Sequence, residues 1–153
     1  MIKKADHSDI VEQIRSLYGI PEGVLEGFHF YETGKSVWCS SVEIPPEYLG
    51  LKKVDAPGMR AFRKVNGHLK PTTFFLQVIG CHATRNIVCL QRDELESLLK
   101  DGYIRIDRND LLNGYVVIRY EGSTLGCGLY RDGRLKSQFP RGRTEALARS
   151  GLF

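Results

Sequence analysis

Glycines and basic side chains are concentrated in residues 120–143, the segment with the clearest chemical pattern. A tight turn at residues 131–134 separates two strand-forming runs, which predicts a β-hairpin. Alternation along the second strand places Arg134 and Lys136 on one face and Leu135 on the other. Glycines allow close approach of a ligand backbone, and cations attract phosphate groups in a salt-dependent way. The expected chemistry is phosphate binding, carried by Arg134, Lys136, Arg141 and Arg143.

The charge of the 153 residues is only +4 in total, but it is unevenly distributed. Residues 51–85 carry a net +6 and residues 126–153 a net +4, whereas residues 1–50 and 86–125 are net negative. If the fold brings the two basic segments together, they form an anion-binding face; otherwise they are two separate solvated surfaces. The candidates that the earlier basic segment contributes are Arg85, Lys52, Lys53, Arg60, Arg63 and Lys64.

Familiar catalytic motifs are missing from the sequence. It has no glycine loop for phosphate or dinucleotide binding, no HExxH motif and no GxSxG elbow. The four cysteines form no CxxC pair and fit no zinc spacing. The neighbours Cys81 and His82 fit either a catalytic pair or a structural pair. We therefore expect a binding protein, not an enzyme, that needs no cofactor and no metal.

The cellular location is inferred from segments that the sequence lacks. No apolar stretch of about 18 residues is present, so we expect no membrane span. The N-terminus lacks the apolar region of a secretory signal. The cysteines are then expected to be reduced, mostly buried thiols in a cytoplasmic protein. The 42% hydrophobic content suffices for a core and excludes wholesale disorder.

The elements that position the candidate residues follow from periodicity. A helix is predicted after Ser8, which we place as its N-cap, and a second helix at residues 92–102. Residues 71–80 fit either a strand or a short buried helix. Strands or hairpins are predicted at residues 28–41, 58–67, 87–90, 103–108, 113–122 and 125–129. A terminal strand within residues 135–142 runs into a basic loop, and one helical turn is predicted at residues 143–147.

This pattern divides near residue 70. Residues 1–70 form a small α+β unit, and the later residues form short strands around one helix. Many short strands in about 80 residues are typical of a small, partly open β-barrel. We therefore predict an α+β protein.

Four motifs connect residues 120–153, which we call the tail, to a known family: Leu125-Gly-Cys-Gly, Gly133-Arg-Leu-Lys-Ser, Phe139-Pro-Arg and Gly151-Leu-Phe. Together they resemble the PUA-type RNA-binding domain at the C-terminus of the sun-family RNA cytosine-5 methyltransferases. Residues 80–99 resemble the start of that domain, and the segments LYGI and GK-VW resemble the small pre-PUA domain before it. The resemblance implies a pre-PUA-like α+β domain at 1–70. It also implies a PUA-like β-barrel with one or two short helices at 71–153.

The resemblance further implies recognition of structured tRNA or rRNA through phosphate, sugar and minor-groove contacts. Those methyltransferases also carry a Rossmann-type domain for S-adenosylmethionine and catalytic cysteines, one of them in a Pro-Cys dipeptide. This sequence has no Pro-Cys dipeptide, and its 153 residues leave no room for that domain. We therefore expect the RNA-binding part alone, with RNA and an RNA-modifying enzyme as partners and no membrane. Its role would be accessory to RNA modification or ribosome assembly.

Two other functions remain open at this point. The acidic N-terminal half fits a protein–protein adaptor, which includes a subunit that supports a separate RNA methyltransferase. A small enzyme would use Cys81 with His82, or Cys39, as its reactive centre.

Trp38 and Tyr31 fit either base stacking or the hydrophobic core.

Overall fold

Two five-stranded sheets organise the computed structural model, which describes residues 2–51 and 57–150. The first sheet is antiparallel, and its spatial order is the chain order. Its strands are β1 (Lys3–Lys4), β2 (His29–Glu32), β3 (Ser36–Ser40), β4 (Met59–Val65) and β5 (His68–Pro71). Lys52, Lys53 and the Gly151-Leu-Phe end lie outside the described residues.

The second sheet curls into a half-barrel. Its strands are β6 (Ile87–Leu90), β7 (Tyr103–Arg105), β8 (Gly114–Tyr120), β9 (Ser123–Arg131) and β10 (Arg134–Ser137). The spatial order is β6-β8-β9-β10-β7, in which β6 runs parallel to β8 and the other pairs are antiparallel. Because β10 inserts between β9 and β7, the tail hairpin lies beside a strand that is distant in sequence. The α+β prediction, with a PUA-like half-barrel, is confirmed.

Helices lie between and around the sheets. They are α1 (His7–Tyr18), α2 (Pro46–Leu49), α3 (Thr73–Ile79), α4 (Arg92–Asp101) and α5 (Arg141–Arg149), with 3₁₀ turns at Glu22–Leu25 and Gly80–His82. The prediction of Ser8 as the first N-cap is wrong, since the Asp6 side chain accepts the hydrogen bond from the Asp9 amide at 3.2 Å. The single turn predicted at 143–147 is a nine-residue helix that follows Pro140.

Residues 71–80, for which the sequence left two alternatives, contain helix α3. Thr72 caps it by accepting a hydrogen bond from the Phe75 amide at 3.1 Å. Phe75 packs edge-on against Phe62 and Phe30, at ring-centroid distances of 5.3 and 6.2 Å. Ring packing into the core thus fixes a helix that the short sequence pattern could not distinguish from a strand.

The hydrophobic core does not stop at the division between the sheets. One cluster joins Tyr18 and Phe62 from the first half to Phe75, Val117 and Cys127 from the second. A second cluster fills the half-barrel around Leu95, Leu98 and Leu135. The boundary at residue 70 separates the strands of the two sheets, and its status as a domain boundary stays a prediction.

Candidate nucleic-acid interface

Four cations lie on three adjacent strands of the half-barrel. Arg134 of β10 stands directly opposite Arg131 of β9 and Arg105 of β7, and Lys136 follows two residues along β10. All four are exposed, whereas Leu135 between the two β10 cations is fully buried. Directly opposed residues of paired strands share one face of a sheet. We call Arg105, Arg131, Arg134 and Lys136 the basic strand face.

The guanidinium of Arg134 is held by an aromatic ring. Its central carbon lies 3.9 Å from the ring centroid of Tyr103, which stands opposite Lys136 on β7. No carboxylate among the described residues approaches any of the four cations within ion-pair distance. Like charges that face each other across strands destabilise a sheet. An anionic ligand would remove this repulsion.

Sequence reasoning missed two members of this face, Arg105 and Arg131. Alternation within each strand predicts that they are exposed, but it contains no information about which strands are neighbours. The register of β10 with β7 brings Arg105 to the tail hairpin. The YIR strand after α4 would have predicted the position of Arg105 only if its pairing with β10 had been known.

The other two tail candidates lie on α5. Arg141 begins this helix with a side chain that is 94% exposed, and its Nε lies 3.4 Å from Glu145 Oε1. Arg143 is half-buried, and its Nε is buried with no hydrogen-bond partner. Arg141 is therefore accessible to a ligand from solvent despite its exposed ion pair with Glu145, whereas Arg143 is partly packed into the protein.

The two basic segments meet in a second feature, which we call the basic cleft. It has a volume of about 400 Å³ and lies between β4, β5, the start of α3 and the residues after β10. Arg60, Arg63 and Lys70 line it together with Gln138 and Pro140 of the tail. The Nζ of Lys70 donates to Gln138 Oε1 at 2.6 Å, which ties the segments together. Part of the earlier basic segment thus adjoins the tail.

Two further candidates of the earlier segment, Lys64 and Arg85, do not line the cleft. Lys64 donates to the Thr33 carbonyl at 2.8 Å and lies 3.6 Å from the Glu32 carboxylate. Arg85 donates to the Arg15 carbonyl near the end of α1 at 3.3 Å. Both side chains therefore have partners within the protein, and their positions can be explained without a bound ligand.

Neither aromatic candidate of the first half presents a free ring. Tyr31 is 1% exposed, and its hydroxyl accepts a hydrogen bond from the Ile44 amide at 2.8 Å. Trp38 is half-buried, and the Arg60 guanidinium lies over its ring at 4.8 Å from the centroid. The core interpretation fits Tyr31, and Trp38 supports Arg60.

The tail glycines have a packing role rather than the phosphate-binding role expected from the sequence. Gly126 and Gly128 are buried. A Cβ added at Gly126 would lie 2.6 Å from the Thr73 side chain, and one at Gly128 would lie 2.7 Å from Ile118. These glycines let α3 and the barrel strands approach each other, so that a phosphate backbone cannot reach them.

The cysteines do not share one environment. All four are free thiols; Cys39 and Cys127 are buried, while Cys81 and Cys89 are exposed, so the expectation of mostly buried thiols is only half right. Burial raises the pKa of Cys39 to about 11 and that of Cys127 to about 12. A thiolate is the reactive form of cysteine, so both buried thiols are unsuited to nucleophilic catalysis at neutral pH.

A thiol-reagent titration is expected to count two fast cysteines in the folded protein and four in urea. Exposure makes Cys81 and Cys89 accessible, whereas burial and a raised pKa protect Cys39 and Cys127. Absorbance of a released aromatic thiolate at about pH 7.5 measures both counts. Fast modification of Cys39 would revive the interpretation of this residue as a reactive centre, and the Cys39→Ser variant would identify it.

Other site types find no support in the described part of the chain. No group of three or more His, Cys, Asp or Glu side chains there could hold a metal ion. None of the helices described is long and apolar enough to cross a membrane.

Comparison with known proteins identifies the half-barrel. Residues 85–144 match the family model described as Methyltransferase RsmF PUA domain. The match covers β6 to β10, and so the whole basic strand face, and ends in α5. No curated protein matches the chain. The resemblance seen in the sequence is confirmed: residues 85–144 are similar to the PUA domain of the sun-family RNA cytosine methyltransferases.

Proposed function

We propose that this protein binds structured RNA and that the basic strand face makes the primary contact, to the phosphate backbone of the RNA. The observation that carries the proposal is a set of four cations on adjacent strands, none of which forms an ion pair with a described carboxylate. Neighbouring strands lie about 4.8 Å apart, so the four charges form one compact patch. Contacts to phosphate position a protein on RNA without reading the bases, which suits recognition by shape.

The class of RNA and the cellular role extend this proposal. We infer a tRNA or rRNA target and an accessory role in RNA modification or ribosome assembly, because the matched domain family is named for a methyltransferase. We also infer that the chain is not itself the catalyst and that a separate RNA-modifying enzyme is its partner, since it has no Pro-Cys dipeptide. Four free cysteines favour a reducing compartment such as the cytoplasm.

The test of RNA binding is a salt titration of the wild-type protein with tRNA and with a stem from rRNA. Four phosphate contacts predict that affinity falls by about 50- to 150-fold between about 50 and 200 mM salt. Fluorescence anisotropy of labelled RNA measures this slope. No binding at about 50 mM salt, or binding that salt leaves unchanged, would contradict the phosphate mechanism.

A further inference from the structure

We propose that the basic cleft receives one unpaired nucleotide of the bound RNA and that its base stacks on the ring of Phe74. This inference rests on the proposed function and narrows its substrate to RNA in which an unpaired nucleotide adjoins a stem. Four observations carry it: a free aromatic ring, three convergent cations, the size of the cleft and its position beside the basic strand face.

The free ring belongs to Phe74 in the first turn of α3. Its neighbours Phe75, Leu76 and Ile79 fill the core, whereas Phe74 is 53% exposed and lines the cleft. Core packing therefore leaves much of this ring without a partner. Stacking of a base on an aromatic side chain contributes about 1–3 kcal/mol and tolerates any base.

Three cations line the cleft together with this ring, and two of them are held in place. Arg63 and Lys70 stand directly opposite each other on β4 and β5 and so share a face. Lys70 is fixed by Gln138, and Arg60 by the Trp38 ring. Of the described residues that line the cleft, none is a carboxylate. This charge balance favours an anionic group such as a phosphate over a cationic or neutral ligand.

One of these cations has an unmet hydrogen-bonding need. The Nε of Arg60 is buried and has no hydrogen-bond partner. A buried donor without an acceptor is costly, and a phosphate or base oxygen in the cleft would supply one. A purely apolar ligand would offer no acceptor for the Arg60 Nε.

The size and position of the cleft select a single nucleotide. A volume of about 400 Å³ is typical of a small-ligand site and is too small for a duplex. Gln138 and Pro140 of its wall follow Lys136 of the basic strand face within four residues. A stem on the strand face would therefore deliver its adjoining unpaired nucleotide to the cleft.

The experiment compares one RNA stem with blunt ends to the same stem with a three-nucleotide extension at its 5′ end or at its 3′ end. We expect the wild-type protein to bind one extended stem about 5- to 150-fold more tightly than the blunt stem, which is the range for one stacked base. The Phe74→Ala variant should lose this gain and keep the affinity for the blunt stem. The Phe74→Trp variant should retain the gain.

A matched control comes from the same helix. Val78 lies one turn further along α3, is 48% exposed and does not line the cleft, so Val78→Ala should behave like the wild type. A 2-aminopurine base in the extension adds a direct signal: its fluorescence should fall on binding to the wild type and less so with Phe74→Ala. Thermal unfolding of each variant checks that the exposed substitutions leave the fold intact.

The outcomes separate the two proposals. Equal binding of blunt and extended stems by the wild type would overturn the nucleotide site and leave the proposed function standing. A gain that Phe74→Ala retains would also overturn it. Failure to bind either RNA at low salt would overturn both.

Discussion

Replacing Arg134 and Lys136 together by glutamate is expected to weaken RNA binding by about 50-fold or more at about 0.1 M salt. Each phosphate contact that is lost removes one released counterion, and the new carboxylates repel the backbone. Both side chains are exposed on β10 while Leu135 between them is buried, so the substitutions leave the core untouched. The slope of the logarithm of affinity against the logarithm of salt concentration should become shallower by about two units, one for each lost phosphate contact.

The control for this double variant has the same change in net charge elsewhere. Lys4 on β1 and Lys35 in the β2–β3 turn are both exposed. Their joint replacement by glutamate should reduce affinity by less than about threefold, because distant exposed charges are screened at this salt. Equal losses in the two double variants would show that net charge, rather than the basic strand face, drives binding.

Local pattern was sufficient for the tail hairpin, because each of its features is set within a few residues. The turn at residues 131–134 and the alternation of Arg134, Leu135 and Lys136 depend on backbone geometry alone. The same holds for α4, which ends at Gly102 in the left-handed conformation with φ of 82°.

Pairing between distant segments could not be predicted in this way. The insertion of β10 between β9 and β7 adds Arg105 to the face, and no periodicity encodes that choice. In the earlier basic segment, the sequence suggests equal roles for residues that the fold separates. Charge counting treats Lys64 and Lys70 alike, but Lys64 pairs with Glu32 while Lys70 reaches Gln138 of the tail. Side-chain partners, which only the fold supplies, separate a structural cation from a candidate ligand-binding one.

The glycine motif of the tail shows that a motif can indicate the right family while its residues have a different role from the one expected. Leu125-Gly-Cys-Gly is one of the motifs behind the confirmed resemblance to a PUA-type domain, but the phosphate-binding role expected of its glycines is wrong. Gly126 is needed because a Cβ at this position would lie 2.6 Å from the Thr73 side chain. Thr73 is held there because its Oγ1 accepts a hydrogen bond from the Cys127 amide at 3.3 Å. The motif therefore reports how α3 docks on the barrel, which in turn positions Phe74 at the cleft.

The Asn86→Ala variant is expected to lose about 2–4 kcal/mol of the free energy of unfolding. Asn86 is 4% exposed and joins the two halves: its Nδ2 donates to the Leu17 carbonyl at 2.6 Å, and its Oδ1 accepts from the Leu112 amide at 3.0 Å. Alanine would leave both backbone groups without this partner. The residue also has a φ of 55°, a left-handed conformation that asparagine tolerates better than alanine.

Urea unfolding followed by circular dichroism measures the loss, and two further variants divide it into its causes. Asn86→Gly removes the hydrogen bonds but relieves the left-handed backbone, so it should be more stable than Asn86→Ala by about 1 kcal/mol. Asn113→Ala also removes two hydrogen bonds, both to Asp132, but at an exposed position, and should cost less than about 1 kcal/mol. Similar losses for Asn86→Ala and Asn113→Ala would mean that the buried bridge adds nothing beyond an exposed one. A large loss confined to Asn86 would identify it as the polar link that holds α1 against the half-barrel.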